Sequence, residues 1–394
     1  MSIRVLVVDD SGFFRRRIRA MLDSHPDLEV CGEACNGREA VELAEKLRPD
    51  VITMDIEMPE LDGISAVRQI MRKRPTPVLM FSSLTYEGAR TTLEALEAGA
   101  TDFIPKRFAD ISGDMDEVRQ QLTSRLVEMG RKRGGARQSV EPSASTASAD
   151  GVSGGEKKMD AAEPPREAVA SGASARTPRP GPSARPAPQP APPAAEPRRR
   201  RGPRVSDLEL VVIGCSTGGP VALQRVLTQL PAGFPLPLVV IQHMPASFTP
   251  AFAERLNELC KVSVREANDG DVVRPGEILL APGGRQLGFR SVGGKLSVHT
   301  FEGTPDQFYK PSVDVAFSEA AQVIPGRVLG VVLTGMGSDG AKGAQLLKKG
   351  GSWVWAQDEA TSVIYGMPAA VAKAGAADQV LPLDSVGQEL ARLR

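Results

Sequence analysis

A chain of 394 residues has room for two or three domains, and with 41% hydrophobic residues each can bury an ordinary core. Its 48 basic and 48 acidic side chains cancel, so no overall field favours nucleic acid or a membrane surface. Four cysteines are too few and too irregularly spaced for a disulfide framework, and no apolar run approaches the roughly 20 residues of a bilayer span.

The first eight residues enter directly into an apolar run with no basic segment or cleavage site before it, which predicts a cytoplasmic protein with no secretory signal and no direct membrane insertion. Residues 3–8, 29–34, 51–54, 78–81 and 103–104 are short bounded runs rich in β-branched or aromatic side chains, and read as strands. Residues 13–22, 38–47, 64–72, 88–97 and 114–129 are amphipathic and read as the helices between them. Five such units predict an α/β domain with a doubly wound parallel sheet, in which ligand-handling groups gather at the carboxyl ends of the strands.

Asp9 and Asp10 end the first strand, Asp55 the third and Ser82 the fourth, and Lys106 follows the fifth. Taken singly, Asp9 or Asp10 reads as a helix cap and Asp55 as the opening of a turn before Pro59. Their convergence on one rim argues for a site. Adjacent carboxylates suit Mg²⁺, a hard ion that prefers oxygen, and a carboxylate can also accept a phosphoryl group, with Lys106 compensating the charge. Together with residues 54–59, Gly63 and residues 100–106, the set resembles the receiver domain of two-component response regulators over about residues 3–128. The resemblance implies that Asp55 is the phosphorylation site, that Asp9 and Asp10 hold Mg²⁺ with it, that Ser82 is the switch hydroxyl and that Phe103 is the switch aromatic. Arg107 departs from the proline usual after the lysine.

Residues 131–204 contain no Leu, Ile, Phe, Tyr, Trp or Cys and are dominated by Pro, Ala, Ser, Gly and Arg. Such a segment cannot bury enough apolar surface to offset its ordering entropy, so it reads as a disordered linker whose ends lie on the order of 50 Å apart. The Arg198, Arg199, Arg200 and Arg201 cluster within it reads as solvated charge. The expected organisation is therefore residues 1–130, a linker at 131–205, and a second folded domain at 206–394.

Beyond the linker the β-α alternation resumes. Strands are expected at 210–213, 238–242, 262–266, 277–281, 328–333 and 352–356, and helices at 220–229, 248–260, 313–321, 341–349 and 368–374. Residues 286–300, with Gly293 and Gly294 between alternating segments, read as an antiparallel hairpin. The chain is thus expected to hold two mostly parallel, doubly wound α/β domains.

Gly214, Cys215, Ser216, Thr217 and Gly218 satisfy Gly-x-Ser-x-Gly between an apolar strand and a helix, a context that presents the hydroxyl on a tight turn near free amides. His243 follows the next strand, and Asp339 lies in a Gly-rich turn after another. A lone serine there reads as a cap, a lone histidine as a local hydrogen-bond partner and Asp-Gly as a turn, but all three fall on the same edge of one expected sheet. That placement suits a Ser216 nucleophile, a His243 base and an Asp339 that fixes the imidazole. The order Ser, His, Asp differs from that of α/β-hydrolases, and the turn lacks the lysine of a phosphate-binding loop. Cys215 reads as a structural thiol.

The segments 213–219, 242–245, 281–284, 311–314, 333–340 and 366–368 resemble the chemotaxis-type protein-glutamate methylesterases, over about residues 207–392. The resemblance implies a carboxylic ester hydrolase that converts glutamate methyl esters on methyl-accepting chemoreceptors to glutamate and methanol, with receptor glutamine deamidation as a second activity. It places Ser216, His243 and Asp339 on the catalytic triad and Thr217 and Met336 on the oxyanion side, with no cofactor for the ester chemistry. A chemosensory histidine kinase is the implied phosphodonor, and the unphosphorylated receiver is implied to cover the Ser216 site. Cys215, Ser338 and Lys310 depart from the usual Ala, Asn and Arg. A DNA-binding response regulator would need a basic helix-turn-helix output domain, which the second half does not offer, so no nucleic-acid partner is expected. A scaffold with an inactive hydrolase domain is the third reading.

Overall fold

The computed structural model describes residues 2–106, 115–138 and 202–393, which fall within one unit made of Met1–Val140 and Arg201–Arg394. The linker core, Arg107 and the 198–201 arginine cluster lie outside the described residues.

The first α/β body runs β1 (Ile3–Val8), α1 (Gly12–Asp23), β2 (Leu28–Ala34), α2 (Gly37–Leu47), β3 (Val51–Asp55), α3 (Gly63–Lys73), β4 (Val78–Ser82), α4 (Tyr86–Glu97), β5 (Asp102–Pro105) and α5 (Met115–Gln138). Its five strands are parallel in the order β2-β1-β3-β4-β5. The strands are near-continuous apolar runs because helices cover both faces: β3 and β4 are buried at every position. Local chemistry starts the helices. Asn36, Asp62 and Thr85 accept from the backbone N–H of Glu39, Ser65 and Gly88 at 2.9, 2.8 and 3.0 Å. Asp9 and Asp10 are not caps, since Ser11 occupies that position of α1.

The second body runs β6 (Leu210–Cys215), α6 (Gly219–Leu227), β7 (Leu238–Gln242), α7 (Thr249–Leu259), β8 (Ser263–Glu266), β9 (Glu277–Leu280), the hairpin β10 (Gln286–Val292) and β11 (Lys295–Phe301), α8 (Val313–Val323), β12 (Val328–Val332), α9 (Ala341–Lys349), β13 (Trp353–Gln357), α10 (Met367–Lys373), β14 (Gln379–Leu381) and α11 (Leu383–Ala391). Seven strands form a sheet in the order β14-β13-β12-β6-β7-β9-β8, all parallel, while β10 and β11 pair antiparallel apart from it. The sheet is wound outward in both directions from β6, so the crevice at its carboxyl end is a topological switch point. Two buried apolar clusters cover the two sides of this sheet, one reaching across from the first body.

The expected fold class is the observed one. Element ends mostly fall within one or two residues of expectation, and three larger differences stand out. Helix α5 runs on through residues 131–138, inside the stretch assigned to the linker. Strand β14 and helix α11 were not anticipated: β14 is three half-exposed or exposed edge residues, too short for alternation, and α11 starts at Pro382 without a capping side chain.

Candidate functional site

The register that aligns Val8 with Met54 puts Asp9 just beyond β1 beside Asp55 at the end of β3. One carboxylate oxygen each of Asp9, Asp10 and Asp55 lies within 4.8 Å of the others. Lys106 reaches in from the end of β5, its Nζ 2.6 Å from Asp55 and 3.0 Å from Asp9, with its ammonium over the Phe14 ring at 5.0 Å. Burial raises the Asp55 pKa to about 6 despite the Lys106 hydrogen bond and charge. Two buried carboxylates facing one lysine form an all-oxygen donor set with surplus negative charge, which fits a hard divalent cation. Ser82 is buried and turned toward α4, donating to the Gly88 carbonyl at 3.1 Å and accepting from Thr92 at 2.5 Å. Phe103, the expected switch aromatic, is stacked on Phe248 of the second body, ring centroids 4.6 Å apart and planes 14° apart.

In the second body, Ser216 and His243 directly follow β6 and β7, and the turn that carries Asp339 follows β12, the neighbour of β6 on its other side. The Ser216 amide donates to Thr334 O at 3.0 Å and the His243 amide to Cys215 O at 3.2 Å, which extends the sheet pairing into the site. Gln242 braces the two strand ends: its Nε2 donates to Ser216 O and His243 O, both at 3.1 Å, and its Oε1 accepts from Cys215 Sγ at 3.0 Å. Cys215 is fully buried and burial pushes its thiol far up, so it is a protonated packing group. Space for the Ser216 turn comes from Gly335, where a Cβ would stand 2.9 Å from Ser216 Cβ. Gly218, at φ +74°, supplies the left-handed residue before α6.

His243 Nε2 is 2.7 Å from Asp339 Oδ2, and both side chains are buried. Asp339 lies across the N-terminus of α8. It accepts from the Ser312 hydroxyl at 2.8 Å and from the backbone N–H groups of Val313 and Asp314 at 2.7 and 3.0 Å. Burial works to raise its pKa, but the His243 hydrogen bond and charge and these amides outweigh it and hold the carboxyl below the usual carboxylate range. His243 Nδ1 is buried with no hydrogen-bond partner. Ser216, Thr217, His243 and Met336 line one cleft of about 490 Å³, walled on the opposite side by Phe103, Pro105, Gln121 and Arg125 of the first body. The arrangement offers a shared wall for an alcohol and an imidazole whose far nitrogen is already fixed to a carboxylate, the elements of base-assisted attack on a carbonyl.

Asp9, Asp10, Asp55 and Lys106 are brought together at the carboxyl end of the first sheet, while Ser82 turns away toward α4 and Phe103 faces the second body. At the second sheet His243 and Asp339 are hydrogen-bonded and share a cleft with Ser216, Thr217 and Met336, but no hydrogen bond joins Ser216 to His243. Sequence reasoning missed Gln242, Ser312 and Tyr309. Ser312 lies within the 311–314 segment, but its contact with Asp339 joins residues from two elements and leaves no local pattern. Tyr309 stacks on His243 with ring centroids 4.1 Å and planes 7° apart.

Contacts between the bodies lie beside the cleft. Arg255 of α7 forks onto Glu97 of α4, Nε to Oε1 at 2.6 Å and Nη2 to Oε2 at 2.9 Å. Gln224 of α6 donates to the same Glu97 oxygen at 3.4 Å, and the Tyr86 hydroxyl donates to Glu254.

Comparison with known proteins gives the same partition. The model described as CheB methylesterase matches residues 211–390, and that described as response regulator receiver domain matches residues 5–113. A protein-glutamate methylesterase/protein-glutamine glutaminase of Alkalilimnicola ehrlichii is 64% identical over 401 residues, covering 100% of both chains. One of Pseudomonas aeruginosa is 54% identical over 390 residues, covering 99% of each. The solved CheB methylesterase catalytic domain of Thermotoga maritima is 41% identical, covering 48% of this chain and 99% of its own, with a TM-score of 0.46. The chain therefore belongs to the family of CheB protein-glutamate methylesterases/protein-glutamine glutaminases that carry an N-terminal receiver domain.

Proposed function

We propose that this protein hydrolyses glutamate methyl esters on methyl-accepting chemoreceptors to glutamate and methanol, under control of receiver phosphorylation. The observation that carries the reading is His243, anchored through Nε2 on Asp339 at 2.7 Å while its buried Nδ1 is left without a partner beside the cleft that Ser216 lines.

Ser216 Oγ attacks the ester carbonyl, and His243 takes its proton at Nδ1. Asp339 holds the imidazole in the tautomer protonated at Nε2 and stabilises the imidazolium. The tetrahedral oxyanion is met by backbone N–H groups on the Thr217 and Met336 side of the cleft. His243 then returns the proton to the departing methoxide, and methanol leaves the acyl-serine. Water, deprotonated by the same imidazole, releases the glutamate. A glutamine amide follows the same course with ammonia as the leaving group, which gives the glutaminase activity carried in the relatives' names.

At the receiver, Asp9, Asp10 and Asp55 would hold Mg²⁺, which when bound neutralises the phosphoryl oxygens during transfer from a chemosensory histidine kinase to Asp55. Lys106 balances the charge at Asp55. Receiver residues wall the cleft that a receptor helix must enter to reach Ser216, which supports reading this arrangement as the restrained one. Phosphorylation of Asp55 releases the wall, and Phe103, which stacks on Phe248 of the second body, is the receiver side chain through which the release acts. Methanol release from methylated receptor membranes tests the reading: a small-molecule phosphodonor should raise the rate, and Ser216→Ala should abolish it. Equal release by wild type and Ser216→Ala removes Ser216 from the chemistry.

A further inference from the structure

A base works only while its ring keeps the accepting nitrogen aimed at the nucleophile, and a single hydrogen bond at the opposite nitrogen does not fix that aim. The Nε2 bond to Asp339 tethers one edge of the His243 imidazole and leaves the ring free to tilt about that edge. Tyr309 removes this freedom. Its ring lies over the imidazole with centroids 4.1 Å and planes 7° apart, a near-parallel face contact. Tyr309 is itself fixed: its carbonyl accepts from Gln286 Nε2 at 2.7 Å, the next carbonyl, of Lys310, accepts from Gly284 N at 2.9 Å, and Phe308 meets its edge with ring planes 86° apart. Burial first, and the Asp339 charge second, push the Tyr309 phenol up, so the ring over the imidazole is neutral at physiological pH.

The stack acts in two ways. It holds the plane in which Nδ1 points, and it presents an aromatic face to a ring that becomes cationic once it has taken the serine proton. An aromatic face favours the imidazolium over the neutral ring, and the preference grows where water is excluded.

We propose that Tyr309 is a positioning residue for the hydrolysis, its aromatic ring holding the His243 imidazole in the plane from which Nδ1 serves the nucleophile and stabilising the imidazolium. This rests on the reading of Ser216 and His243 as nucleophile and base.

The test uses the full chain with saturating phosphodonor, so that release of the receiver wall does not limit the rate, and measures steady-state methanol release from methylated receptor membranes. Tyr309→Phe, which keeps the ring, should stay within about 2-fold of wild type in kcat. Tyr309→Leu, which keeps apolar bulk without a π face, should lose about 10-fold in kcat while KM moves less than about 2-fold, the pattern of an interaction made in the transition state. Thermal unfolding is followed in parallel, and if Tyr309→Leu does not fold, Tyr309→Met gives the same comparison. An unchanged kcat in the non-aromatic variant overturns the proposal. A loss carried wholly by KM does so too, since it makes Tyr309 a substrate contact, as does a Tyr309→Phe variant as impaired as Tyr309→Leu. Ser216→Ala in the same assay separates the two levels: activity retained there defeats the triad reading itself, independently of the stack.

Discussion

Reversing the charge of Arg255 should unlock the enzyme without phosphorylation. Arg255 and Glu97 are about one-third exposed and joined by two hydrogen bonds of 2.6 and 2.9 Å, the fork geometry that makes an ion pair count. A partly exposed pair of this kind contributes about 1 kcal/mol, so Glu97→Ala should shift the closed-to-open equilibrium about 5-fold toward open. Arg255 keeps its second partner, Glu258 at 2.8 Å, in that variant and remains folded against α7. Arg255→Glu adds repulsion from Glu97 of about another 1 kcal/mol, for a total shift on the order of 30-fold. Methanol release without phosphodonor should rise by these factors, up to the ceiling set by the phosphorylated wild type, while the phosphorylated rates stay equal. Combining Glu97→Arg with Arg255→Glu rebuilds the pair in reverse and should return the basal rate toward wild type. If neither single variant changes the basal rate, the contact is incidental and the restraint resides elsewhere, with the Phe103–Phe248 stack the next place to look.

Ser312→Ala removes the 2.8 Å hydrogen bond to Asp339 and the cap on Val315 N, and should lower kcat about 10-fold with little change in KM, read from the same assay. Asp339→Asn leaves His243 Nε2 facing an amide and favours the wrong tautomer, so kcat should fall by about 10³ or more; because folding holds the Asp339 carboxyl below the usual range, the variant should also melt lower at pH 7, with that deficit shrinking only as pH falls below the ordinary carboxylate range. Asp55 titrates at about 6 when folded against an ordinary 3.8, so its neutral form is the one folding favours: the stabilisation is complete below about pH 4 and lost as pH rises through about 6. Asp55→Asn, which cannot ionise, should therefore lose less stability than wild type as pH rises from about 4 through about 6, read as a flatter pH dependence of its thermal melts, although it also deprives Lys106 of its 2.6 Å partner. Addition of Mg²⁺ at pH 7 should stabilise wild type and leave Asp55→Asn much less affected.

What the sequence made legible follows from what is local. Each strand that positions a candidate side chain is a bounded apolar run, and the side chains sit at the run's end, so the pattern alone places Asp9, Asp55, Ser216 and His243 at strand carboxyl ends. Asp339 was legible for the same reason, through the glycines that bracket its turn after β12. Pairing between distant segments was not. Ser312 and Asp339 meet because α8 aims its N-terminus at the turn after β12, and no spacing within either segment encodes that approach. The Ser82 hydroxyl was assigned correctly to a strand end, yet its direction, toward Thr92 and not Asp55, depends on how α4 packs. A linker as long as the sequence predicts lowers the effective concentration of one body at the other. Against that stand an apolar stack, a forked ion pair and a hydroxyl–carboxylate bond at a common boundary, the last two made by side chains that on their own elements look like ordinary surface. Individually they are weak, and a set of weak contacts is what the proposed reversible restraint requires: on that reading a perturbation of a few kcal/mol at Asp55 is enough to shift the balance.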